Sequence, residues 1–176
     1  MSTYLAQPDP EGNARRAAAS RTSATEWNLP MSVNVMVETT INRPVSEVAA
    51  YAGDPSNAPR WYRRIKAAEW VTEPPLRLAS RVKFSAKFLG KQLVYTYEII
   101  ALTPGEFLVM RTTEGPFPME TTYTWTQAST TSTRMTLRNR GEPVGFSKLM
   151  APFISQAMKR AMRQDLQQLK ILLEAT

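Results

Sequence analysis

The stretch Met119-Glu120-Thr121-Thr122-Tyr123-Thr124-Trp125-Thr126-Gln127 alternates two kinds of side chain. Successive residues of a strand point to opposite faces. Met119, Thr121, Tyr123 and Trp125 therefore share one face, and Glu120, Thr122, Thr124 and Thr126 share the other. The second set is wholly polar, so it belongs to solvent and the aromatic set to an interior. The same test upstream turns Val82, Phe84, Ala86 and Phe88 inward and Arg81, Lys83, Ser85 and Lys87 outward. Downstream it turns Met135 and Leu137 inward, Arg134 and Arg138 outward. Residues 92–102 allow two phasings, and the one that keeps Glu98 outside turns Leu93, Tyr95, Tyr97 and Ile99 in.

Around this stretch, strand-like runs cover 65–73, 81–89, 92–102, 106–114, 119–127 and 132–140, broken by Gly90, Pro104-Gly105, Gly115-Pro116 and Gly141. That spacing, with turn residues between, predicts an antiparallel meander rather than alternating strands and helices. Val33, Val35 and Val37 open an earlier strand that runs to Ile41. Pro44 then starts a short helix that stops at Gly53-Asp54-Pro55, and a second short helical segment holds Ala58, Pro59, Trp61 and Tyr62. At the other end, residues 147–174 read as one long amphipathic helix. Phe146, Met150, Phe153, Ile154, Ala157, Met158, Ala161 and Met162 fall on its apolar face; Lys148, Gln156, Lys159, Arg160, Arg163 and Lys170 oppose them. Pro152 kinks this helix or opens its main part. The predicted fold is α+β: a curved antiparallel sheet of seven strands wrapped around the long C-terminal helix, with two short helices after the first strand.

A chain of 176 residues makes about one domain. Residues 1–30 are small, polar and rich in breakers, with Tyr4, Leu5 and Trp27 as their large apolar groups, and read as a disordered tail. Residues 31–176 form the domain, and Met31 stands where a shorter chain could begin. The sequence has no Cys and no His. Disulfides, thiol nucleophiles, Ser-His dyads and zinc sites of the usual kind are thereby excluded, and no clustered Asp motif points to another metal, so neither metal nor cofactor is expected. Lys and Arg number 22 against 15 acids, a net charge of +7, but they are dispersed, which fits a solvated surface better than a nucleic-acid footprint. No apolar run approaches the roughly 20 residues of a membrane span, and no secretory signal precedes the domain. Cytoplasm is the expected compartment. Peripheral contact with a membrane and the oligomeric state stay open.

Three passages carry a family resemblance. Ile41-Asn42-Arg43-Pro44-Val45-Ser46-Glu47-Val48 resembles the segment that leads into the first helix of the START-like, or SRPBCC, superfamily of polyketide cyclase/dehydrase and lipid-transport proteins. Asp54-Pro55 through Pro59-Arg60-Trp61 is similar to the "D-P-x-x-x-P-x-W" passage that follows it, and Asp165-Leu166-Gln167-Gln168-Leu169-Lys170 with Leu173-Glu174 to the superfamily's terminal helix. The match spans 33–175 and speaks for fold more than for chemistry. It implies a helix-grip fold with an apolar cavity between sheet and helix, used for a lipid, sterol, polyketide or other hydrophobic ligand.

Trp61, Phe84, Phe88, Tyr95, Tyr97, Met110, Tyr123, Trp125, Met135, Phe153, Ala157 and Met158 are the expected cavity residues. Each taken singly reads as plain core. Together they supply adaptable Met surface and Tyr and Trp tips that need partners when buried. Trp61 with Tyr62 reads as a lid or mouth element. Asp165 projects onto the apolar helix face, where a structural ion pair or backbone hydrogen bond is the favoured reading. Arg111 could meet an anionic head group, but an outward, solvated arginine is favoured. Glu114, Glu120 and Glu142 do not resolve into a catalytic pair, so no catalytic residue is assigned. Binding of a small hydrophobic ligand leads; a cyclase, aromatase or dehydratase using the same cavity is the alternative, and a basic interaction module for ribosome or membrane a third reading.

Overall fold

A computed structural model describes residues 33–88, 90–142 and 151–175. The tail expected over 1–30, the helical start over 147–150 and the side chain of Phe88 lie outside the described residues. Strands β1 (Val33–Ile41), β2 (Ile65–Trp70), β3 (Arg81–Phe88), β4 (Lys91–Thr103), β5 (Phe107–Glu114), β6 (Met119–Ser129) and β7 (Ser132–Gly141) form one antiparallel sheet in the order β1-β7-β6-β5-β4-β3-β2. Helices α1 (Val45–Gly53) and α2 (Ala58–Trp61) follow β1, and α3 (Ala151–Glu174) closes the chain. This is the expected helix-grip arrangement, with α3 gripped on the sheet's inner face.

The three motif passages turn out to clasp one another. Ile41 and Val48 are buried at the corner between β1 and α1, and the end of α3 is tied there: Asn42 N–H donates to Glu174 Oε1 at 2.7 Å and Arg43 Nε to the Leu173 carbonyl at 2.8 Å. Asp54 Oδ1 accepts from Ser56 N–H at 2.8 Å, and the single turn it opens delivers Trp61 to full burial. Arg63 N–H then donates to Asp165 Oδ1 at 3.0 Å, joining the segment after α2 to the middle of α3. Leu166, Leu169 and Leu173 bury the stripe beyond it.

The faces follow the alternation, with corrections at two positions. Phe153 is 69% exposed, although it was expected on the buried face. The stripe runs through Ile154, Ala161, Met162, Asp165, Leu166 and Leu169. Phe153 precedes Ile154 by one residue, a turn of about 100° around the axis, and that rotation carries it off the sheet. Glu120 points outward as expected yet is only 7% exposed. Register explains this: Arg140, Glu120, Arg111, Glu98 and Arg81 stand opposite one another on β7, β6, β5, β4 and β3, a row of alternating charge across the outer face. Glu120 accepts from Arg111 Nη2 at 2.8 Å and from Arg140, and Arg81 lies 3.5 Å from Glu98. Arg111 is thus on the outer face, away from any ligand, and part of the basic excess is spent in this row.

Burial alone would raise the Glu120 pKa, but the Arg111 and Arg140 hydrogen bonds and charges outweigh it and hold the carboxyl below its ordinary value. Its contribution to stability is therefore present above the ordinary carboxylate range and lost as pH falls through the lowered value. Replacing Glu120 by Ala leaves two guanidinium groups repelling across the vacated position. We expect a loss of about 1–2 kcal/mol in denaturant titrations, reduced by salt; an unchanged midpoint would show that the row contributes nothing.

Candidate functional site

Between the sheet's inner face and α3 lies a cavity of about 290 Å³. Phe84 of β3, Tyr95 and Tyr97 of β4, Met110 of β5 and Thr121 and Tyr123 of β6 form one wall; Ile154, Met158, Ala161, Met162 and Asp165 of α3 form the other. Tyr62 and Arg64, from the segment after α2, close one side, while Phe117 and the exposed Lys91 and Pro116 stand at the rim. The aromatic wall is continuous. Phe84 meets Tyr97 edge-on at 5.8 Å, Tyr97 lies 6.0 Å from Tyr95, and Phe117 meets Tyr95 edge-on at 5.8 Å. Gly115 permits that last contact: at its φ of +152° a Cβ would sit 2.7 Å from the Tyr95 ring.

A pair of phenols bonds across this wall. Tyr62 and Tyr123 share a hydrogen bond of 2.7 Å between their hydroxyls. One proton serves that bond, so the pair retains one further O–H to donate. Trp61, wholly buried, stacks on Tyr62 at 3.8 Å and fixes it. Burial raises the Tyr62 and Tyr123 pKa values, and the nearby Asp165 charge adds to both; the hydrogen bond between the two phenols raises Tyr62 and offsets part of the rise at Tyr123. Tyr97 is pushed up to about 12 by burial, against a hydrogen bond with Thr121. Asp165 is only 4% exposed. Burial raises its pKa to about 6, against the Arg63 N–H bond and the charges of Arg64 and Arg63. An acid that titrates near neutrality thus faces an apolar cavity beside two phenols.

Of the expected cavity residues, Phe84, Tyr95, Tyr97, Met110, Tyr123 and Met158 stand on this wall. Trp61 does not: it is core behind Tyr62, because the turn of α2 packs it under the sheet and helix, and of the pair read as a lid or mouth element only Tyr62 borders the cavity. Met135 is wholly buried beside its cross-strand partner Trp125. Trp125 lines a different groove of about 690 Å³ under α1, open to solvent along Pro74, Pro75 and Pro104. Its indole Nε1, like that of Trp61, is buried without a hydrogen-bond partner among the described residues, contrary to the expectation that such tips find one. Ala157 is half-buried at the flank of the stripe, off the wall, and Phe153 faces out. Arg64 was missed, because an arginine in a connection reads as solvated. Tyr62, the neighbour of Trp61, is the ring that reaches the cavity.

A curved seven-stranded sheet gripping a long helix over an apolar cavity defines the helix-grip, START-like class. The chain belongs to the polyketide cyclase/dehydrase and lipid transport family, whose sequence pattern matches residues 32–174. No curated protein sequence matches it significantly. Among solved structures it is similar in fold to a Thermus thermophilus protein, at 21% identity and a TM-score of 0.70 over 81% of this chain and 99% of that one. It is similar also to a START superfamily protein from Mycobacterium smegmatis, at 14% identity and a TM-score of 0.68 over 81% and 97% of the two chains. The Zhui aromatase/cyclase of a Streptomyces species gives 15% identity and a TM-score of 0.70 over 80% and 93%. Among the described residues no helix is long and apolar enough to cross a membrane.

Proposed function

We propose that this protein binds one small hydrophobic molecule, a lipid, polyketide-like or aromatic compound, between the sheet and α3, and does so in the cytoplasm. The cavity itself carries the reading. Protein interiors are packed almost without voids larger than a water, so a space of about 290 Å³ lined by Tyr, Phe and Met is not slack in a core. The size sits at the lower edge of the ~300–1,000 Å³ of small-molecule sites, which suits one or two rings or a short chain. An apolar fluorescent probe of the naphthalene type is expected to bind with micromolar affinity. Ala161 projects from α3 onto the wall; Ala161→Phe fills the space and is expected to weaken binding about tenfold or more, with overpacking costing about 1–3 kcal/mol of stability. Ala157→Phe, off the wall, leaves binding unchanged. Equal binding by wild type and a folded Ala161→Phe protein overturns the cavity reading.

The second reading, an enzyme of cyclase, aromatase or dehydratase type, is favoured by one observation: Asp165, titrating near 6, shares the wall with the Tyr62–Tyr123 pair. A carboxylate that accepts a proton from carbon while a phenol holds the developing enolate oxygen is a workable acid–base arrangement. Exchange of the α-protons of a bound cyclic ketone in heavy water, abolished by Asp165→Asn, would establish it; exchange at the uncatalysed rate leaves the protein a binder.

A further inference from the structure

Arg64 is the polar group on the cavity wall that the fold leaves unanswered. Its backbone is pinned, because its carbonyl accepts from Lys87 N–H at 2.9 Å. Its side chain is half-buried on the wall. Nη2 reaches Gln164 Oε1 at 3.5 Å, the outer limit of a hydrogen bond. Nη1 is buried with no hydrogen-bond partner, so a ligand oxygen meets it only once the side chain shifts toward the cavity, and no carboxylate forms an ion pair with this guanidinium among the described residues. A charged N–H kept from water and left unbonded is costly. The planar guanidinium fork is matched by a carboxylate, which accepts two parallel bonds from it. The remaining wall offers mostly rings and thioethers, which suit hydrocarbon.

We infer that the ligand is an apolar acid, with its carboxylate against Arg64 and its hydrocarbon part among Tyr97, Met110 and Met158. This rests on the cavity reading above and narrows it to one class of molecule. Asp165 tunes the affinity. The charged groups facing it are Arg63 and Arg64 from the segment after α2; the titratable ones are Tyr62 from that segment and Tyr97 and Tyr123 from the sheet. Its neighbours along α3, Gln164 and Leu166, are uncharged. Ionised, Asp165 competes for Arg64 and repels a bound carboxylate; protonated, it does neither. Because burial raises its pKa to about 6, above the ~4 of a free carboxylic acid, Asp165 takes up its proton on acidification before the ligand does. Between the two lies a window in which the ligand is charged and Asp165 is not. Affinity for the acid therefore rises as pH falls from neutrality into that window.

The test uses the full chain and three probes of one shape: naphthalene, 2-naphthol and 2-naphthoate, titrated calorimetrically near pH ~7.5 and pH ~5. Naphthoate is expected to bind about tenfold more tightly than naphthalene at the higher pH, and more tightly again at the lower. Arg64→Gln brings naphthoate down to the level of naphthalene and leaves naphthalene unchanged; Arg64→Lys, which retains the charge without the fork, falls between. Asp165→Asn removes the pH dependence of naphthoate binding. Naphthoate no tighter than naphthalene, or a preference that survives in a folded Arg64→Gln protein, overturns the inference while the cavity stands. Failure of all three probes to bind overturns the cavity reading and this inference with it.

Discussion

Leu169→Ala is expected to destabilise the protein by about 2–5 kcal/mol, the cost of emptying a fully buried leucine site. Leu169 is wholly buried on α3, with Leu166 and Leu173 beside it on the same stripe. This end of the helix is also held by Arg43, by Asn42 and by Lys170 Nζ, which donates to the Thr40 carbonyl at 2.5 Å. Those polar ties keep the helix in place when Leu169 is truncated, so the surroundings cannot collapse to fill the void and the loss belongs in the upper half of that range. Phe153→Ala, a larger truncation by volume, is expected to cost no more than about 0.5 kcal/mol, because the ring is already in water. Urea titrations of the two variants give the comparison. A cost at Phe153 equal to that at Leu169 would show that the exposed face of α3 is covered in solution.

The difference between these two residues shows how far the sequence could be read. Strand alternation was legible because its period is two: a face error would have turned Tyr95 and Tyr97 out and Glu98 in, and the charge of Glu98 forbids it. The helical stripe was legible at its centre, where Ala161 and Met162 stand three and four residues after Met158. It was not legible at its edge, where Phe153 and Ile154 are both apolar and neighbouring. The same limit applies to Trp61 and Tyr62. A helix of one turn has no period to count, so nothing local says which ring enters the core and which reaches the cavity. Glu120 was assigned to the correct face, but its burial comes from Arg111 and Arg140 on neighbouring strands and depends on register. Arg64 had no signal at all, since the contacts that hold it come from Lys87 and Gln164, far away in the chain. Asp165 alone announced itself, as a charge on an apolar stripe.

Asp165→Asn is expected to stabilise the folded protein at neutral pH by about 3 kcal/mol, and the sign follows from proton linkage. In the unfolded chain the carboxyl titrates at its ordinary value of 3.8; in the fold, burial raises it to about 6. Below about pH 4 both states hold the proton and the group contributes nothing. Between about 4 and 6 the unfolded chain releases its proton while the folded one retains it, so rising pH favours unfolding. Above 6 both are ionised and the penalty is constant, on the order of 3 kcal/mol. Asparagine keeps an oxygen for Arg63 N–H, the 3.0 Å bond that ties the segment after α2 to α3, and carries no charge to bury. Its melting temperature is therefore expected to exceed that of the wild type by about 6–12 °C near pH ~7.5, and the gap to close toward pH ~4. Acid-sensitive groups such as Glu120 are common to both proteins, so they cancel in the difference. An asparagine variant that is less stable at neutral pH would mean that the charges of Arg63 and Arg64 outweigh burial. If the gain appears, the carboxylate is held at a cost that packing does not require. The cavity it faces, with Arg64 and the Tyr62–Tyr123 pair on the same wall, is then where its work lies.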